Sequence, residues 1–164
     1  MEKQILYDTL VRYILENQDK FYRLAYSYTR QKEDALDAVQ NAVCKALESY
    51  ETIQNESAIK TWFYRVLTNE CLLLLKKSKK VILCADELGQ EQIYYESGYE
   101  KQDDLEDEVH KLDLETQGII KLRFFEEMSL KEIAAITRLK ENTVKTKLYR
   151  GLKALKENME EVNL

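Results

Sequence analysis

Hydrophobic positions recur at helical spacing along most of the chain. From Ile5 to Leu15 the residues Ile5, Leu6, Leu10, Val11, Ile14 and Leu15 fall three and four apart, the signature of one helix face. Asn17 is suited to cap a second helix, in which Phe21, Leu24, Ala25 and Tyr28 make one stripe. A third helix is expected from about Gln31 to Tyr50, with Ala35, Val39, Ala42, Val43, Ala46 and Leu47 on its buried side. The polar run ETIQNES then interrupts the pattern, and Ser57 can cap a fourth helix through AIKTWFYRVLTNECLLLLKK.

After Lys80 the pattern changes character. Asp86, Glu87, Glu91, Glu96, Glu100, Asp103, Asp104, Glu106, Asp107 and Glu108 are ten acids set against Lys101 alone, and Gly89 and Gly98 fall among them. Such a stretch has too little apolar surface to fold by itself and reads as a solvated linker. Helical patterning resumes with LDLETQGIIKLRFFEEM, marked by Leu114, Ile119, Leu122 and Phe125. Ser129 followed three residues later by Glu132 is a capping box, opening a short helix with Leu130, Ile133, Ala134 and Ile136 inward. TRLKEN breaks it, and a longer helix from about Glu141 carries Val144, Leu148 and Leu155 as its core stripe. The expected architecture is all-α: a helical domain over residues 1–80, a flexible acidic linker over 81–107, and a second small helical domain over 108–164.

Composition narrows the chemistry. The absence of proline and the four glycines favour long helices over a turn-rich β fold, and 45% hydrophobic residues suffice for real cores. The longest apolar run, Cys71–Leu75, is far too short to span a bilayer, and MEKQILYDTL carries an acid where a secretion signal would be basic, so a cytoplasmic protein is expected. Cys44, Cys71 and Cys84 lie far apart and His110 is the sole histidine, so free thiols are expected and no metal site. No glycine-rich phosphate loop or nucleophile–base set suggests an enzyme, a cofactor or a small-molecule substrate.

The C-terminal segment is different. Arg138, Lys140, Lys145, Lys147, Arg150, Lys153 and Lys156 are seven bases against Glu141 alone, within a chain of net charge −5. A solvated bundle helix usually mixes charge signs. A short helix, a tight break and a basic second helix instead form a helix-turn-helix pattern fit for a DNA groove. Residues near the second helix's N-terminus can reach base edges, and those farther along can sit over phosphates.

This segment resembles region four of bacterial RNA polymerase sigma factors, above all the extracytoplasmic-function group. The likeness is carried by Ser129, Glu132, Ile133, Ala134, Thr143, Val144, Lys145, Leu148 and Arg150. Arg138 stands where that family usually has glycine, and Lys147 where arginine is usual. LDAVQNAVCKALESY is similar to the family's region-two signature through Asp37, Val39, Gln40, Val43 and Lys45. The next signature is matched by Ile59, Trp62, Phe63, Val66 and Asn69, in the expected order.

The resemblance implies a non-enzymatic subunit that binds core RNA polymerase and directs initiation at promoter DNA. By this likeness Asp37, Gln40 and Asn41 contact the polymerase. The −10 element falls to Asn55, Glu56, Ser57, Lys60, Arg65, Asn69, Lys76 and Lys77. The −35 element falls to Asn142, Thr143, Lys145, Thr146, Lys147, Arg150 and Lys153. Trp62 is expected in the core rather than against a base, and Glu70 to oppose the lysines of its helix. The family likeness also implies an anti-sigma factor as a partner, often held at the membrane. A linker of 27 residues spans roughly 30 Å when flexible and at most roughly 90 Å, enough to join two promoter elements. The competing reading is a stand-alone helix-turn-helix regulator that does not act through polymerase docking.

Overall fold

The computed structural model describes residues 2–87 and 104–162, and side chains over 2–77 and 105–159. Among the described residues every regular element is helical: α1 (Glu2–Glu16), α2 (Gln18–Thr29), α3 (Lys32–Ser49), α4 (Ile59–Glu87), α5 (Asp104–His110), α6 (Leu114–Phe124), α7 (Leu130–Thr137) and α8 (Glu141–Val162). Short 3-10 turns, Tyr50–Thr52 and Glu56–Ala58, link α3 to α4. The chain divides into two compact units, residues 1–78 and 79–164. The all-α, two-domain expectation therefore holds. Linker positions 88–103 lie outside the described residues.

In the first unit a stripe of alanines, Ala35, Ala38, Ala42 and Ala46, is wholly buried and lets α2 lie close along α3. Larger side chains fill the rest: Leu10, Phe21, Leu24, Phe63 and Leu67 retain 1% exposure or less. Phe21 and Phe63 meet at 4.6 Å between ring centroids, with Tyr13 and Tyr64 packed at the edges. Burying each such ring stabilises by roughly 1.5–3 kcal/mol. Tyr28 lies deep beside Cys71, and burial, then the thiol, pushes its phenol above the ordinary range.

In the second unit α6, α7 and α8 pack on one another around Ile119, Leu122, Met128, Ile133 and Val144, with α5 laid against α8. Gly151 sits where α8 crosses α6, and a Cβ there would stand 2.7 Å from Thr116 Cγ2. No side chain fits without displacement.

Several local expectations are revised. α4 continues to Glu87 through VILCADE, which was expected as linker; this stretch holds no glycine or proline to stop a helix. Ser57 does not cap α4; it lies in the second 3-10 turn and its hydroxyl donates to Asn55 Oδ1. Asn17 occupies the N-cap position of α2, but its amide donates backward to Tyr13 O instead of capping. Phe125 falls just past the end of α6 and is exposed, and Leu114, the first residue of that helix, also faces water. Cys71 is buried as expected, whereas Cys44 is exposed, and both are free thiols.

Candidate polymerase and nucleic-acid interfaces

The helix-turn-helix is fixed at both ends by local chemistry. Ser129 Oγ accepts from Glu132 N at 3.1 Å and Glu132 Oε1 accepts from Ser129 N at 2.9 Å, the reciprocal capping box. α7 ends at Arg138 with φ 63, in the left-handed region, and the Arg138 and Leu139 N–H groups both return to Ala134 O. That closure turns the chain sharply into α8.

On α8, Val144, Leu148 and Leu155 face the core. Asn142, Lys145, Thr146, Arg150 and Lys153 are exposed, and Thr143 is half-buried. Tyr149, not assigned from the sequence, is also exposed on this helix, with Lys145 Nζ 6.0 Å from its ring centre. Lys147 stands apart. Its Nζ is 2.9 Å from Glu115 Oε1 on α6, a pairing that raises its pKa, through the hydrogen bond first and the charge second. Lys147 thus bridges α8 to α6. The partner lies 32 positions away in sequence (147 minus 115), so no local signal could have revealed it.

In the first unit Asp37, Gln40 and Asn41 are exposed on α3, opposite its alanine stripe. Asp34, half-buried on the same helix, has its carboxyl raised by burial, then by Asp37 and Glu33. The α3 N-terminal turn is thus an acidic cluster under mutual repulsion.

Asn55, Glu56, Ser57 and Lys60 are exposed around the second 3-10 turn, and Asn69, Lys76 and Lys77 are exposed along α4; Arg65 is half-buried. Trp62 is half-buried rather than enclosed in the core, and it lines a groove of 630 Å³ with Lys45, Val66, Asn69, Leu73 and Lys76. Glu70, expected to oppose the lysines of its helix, has another partner. It is buried and ion-paired with Lys45 of α3, so it subtracts little from the field of the α4 lysines.

Comparison with known proteins decides what this pair of units is. Residues 13–81 match sigma-70 region 2 and residues 102–155 match sigma-70 region 4. The chain is 41% identical over 155 residues to RNA polymerase sigma factor SigV of Bacillus subtilis, covering 94% of this chain and 93% of that protein. The chain belongs to the sigma-70 family. More distant relatives include the extracytoplasmic-function sigma factor SigW of Bacillus subtilis, 26% identical over 88% of this chain and 85% of that protein. The fold is shared with the sigma factor RpoE of Bartonella quintana, solved in complex with the anti-sigma factor NepR. That match has TM-score 0.73 at 21% identity, over 91% of this chain and 95% of the other. CnrH, solved with the cytosolic domain of CnrY, superposes with TM-score 0.73 at 16% identity, over 98% and 97% of the two chains. This sigma factor is of the extracytoplasmic-function group, and its activity is that of a promoter-specificity subunit of RNA polymerase. A lone helix-turn-helix regulator has no use for a region-two domain, and that reading is not favoured. No helix among the described residues is long and apolar enough to cross a membrane.

Proposed function

We propose that the sigma factor divides its work among three surfaces. Asp37, Gln40 and Asn41 on α3 dock core polymerase. The loop residues Asn55, Glu56 and Ser57, with Lys60, Arg65, Asn69, Lys76 and Lys77 of α4, bind the −10 element. Asn142, Thr143, Lys145, Thr146, Arg150 and Lys153 of α8 bind the −35 element, with Lys147 serving mainly to hold that helix. The domains run over 1–80 and 108–164, joined by the acidic segment 81–107. The observation that carries this division is the contrast of charge. α8 presents Lys145, Arg150 and Lys153 to solvent, whereas the first two turns of α3 hold Glu33, Asp34 and Asp37. A basic face suits phosphates. Burial first, and Asp37 and Glu33 after it, raise the Asp34 carboxyl; a cationic protein partner would relieve that repulsion, and paired arginine is the strongest form of such relief.

An anti-sigma factor is the expected inhibitor, since covering either surface suffices to block initiation. RpoE and CnrH are each solved with a bound partner, which supports this reading. An inhibitor with a membrane anchor and a cytosolic domain would hold the sigma factor at the membrane. Two substitutions test the division. Asp37→Ala should weaken affinity for core polymerase about tenfold and leave the −35 preference of the assembled holoenzyme intact. Arg150→Ala should lower transcription from −35-dependent templates about tenfold at unchanged core affinity. Both are read by core-binding titration alongside multi-template transcription, and the reverse pattern would overturn the assignment.

A further inference from the structure

The first helix has no part in the division above, yet it does not simply complete the core. α1 lays one face along the two 3-10 turns that carry the −10 loop. Three contacts tie it there. Lys3 Nζ is 3.1 Å from Glu51 Oε2, the Tyr7 ring meets Tyr50 edge-on at 5.1 Å, and Thr9 Oγ1 donates to Glu56 Oε1 at 3.2 Å. Ile53, 4% exposed, pins the loop's middle into the unit.

Magnitudes argue that these ties do little for stability. The Lys3–Glu51 pair is 72% and 56% exposed, and such surface pairs contribute about 0–1 kcal/mol. The Thr9–Glu56 hydrogen bond is also exposed. What it does is fix direction. A glutamate on a surface turn otherwise samples many rotamers; here one carboxylate oxygen is held from the neighbouring helix. Beside it Ser57 Oγ donates to Asn55 Oδ1 at 2.5 Å, which engages the amide oxygen and leaves the Asn55 amide N–H groups to donate elsewhere. The loop therefore offers an oriented acceptor, Glu56, next to an oriented donor, Asn55.

We propose that Thr9 is a positioning residue for base selection. With it in place, Glu56 accepts from and Asn55 donates to the edge of one unpaired base. The inference rests on the loop being the −10 reader, as proposed above.

The test uses full-length protein assembled with core polymerase and a template pool randomised across the −10 element, sequencing the templates that yield transcript. The native protein should enrich one base at one position. Thr9→Val, which keeps shape but removes the hydroxyl, should lower that enrichment about threefold to tenfold, and Thr9→Ser should restore it. Core affinity and melting temperature should stay at native values in both variants. The brace is overturned if Thr9→Val leaves the preference unchanged, depresses all templates equally, or is not rescued by Thr9→Ser. Glu56→Gln separates the two levels. If it changes the preference while Thr9→Val does not, only the brace fails; if it changes nothing, the loop is not the −10 reader.

Discussion

At the scale of single residues, the second unit carries two backbone positions that its side chains do not favour. Glu127 has φ 52 and Arg138 φ 63, a region costing an L side chain roughly 1–2 kcal/mol. Glycine avoids that cost but loses more freedom on folding. Glu127→Gly and Arg138→Gly are each expected to stabilise by about 0.5–1 kcal/mol, measured by chemical denaturation. Asp113, the cap of α6, governs the acid limb. Burial pulls its pKa upward, but the Thr116 hydroxyl and backbone N–H, with Lys147 nearby, outweigh burial and hold it below the ordinary value. A depressed folded-state pKa lends stability that is complete above the unfolded value of about 3.9 and drains as pH falls through the lower folded value. Asp113→Ala should thus cost about 1 kcal/mol near neutrality, with the deficit shrinking below about pH 4 in acid titrations followed by circular dichroism.

At the scale of elements, what the sequence could disclose was what repeats or pairs locally. The Val144–Leu148–Leu155 stripe and the Ser129–Glu132 box follow from spacings of three, four and seven, and both stand in the structure. The contacts that were not legible join distant segments: Lys147 to Glu115, Lys45 to Glu70, and α1 to the loop after α3. The family likeness and the charge count put Lys147 among the expected DNA contacts and set Glu70 against the lysines of its helix, and neither shows which ions have already paired. Likewise the polar look of ETIQNES gave a loop but not its bracing. The pairing of Lys147 has a measurable consequence. Lys145→Ala should reduce the salt dependence of holoenzyme binding to −35 DNA by about one unit of log–log slope. Lys147→Ala should reduce it by clearly less, since Glu115 already neutralises that cation. Equal losses would show that the pair opens on DNA.

At the scale of the whole molecule, a net charge of −5 coexists with a basic α8 because the chain sums unlike parts. An acidic chain gains little from long-range attraction to DNA, so promoter recognition is expected of the assembly with polymerase rather than of the free subunit. The most direct measurement is transcription from fragmented genomic DNA by purified core polymerase, with and without this protein, mapping every RNA 5′ end. The account predicts a discrete set of new starts, preceded by two shared sequence elements at constant spacing. It further predicts that these starts fade with Arg150→Ala and that no comparable selectivity attends the free protein in DNA binding. An unchanged distribution of starts on adding the protein would contradict it.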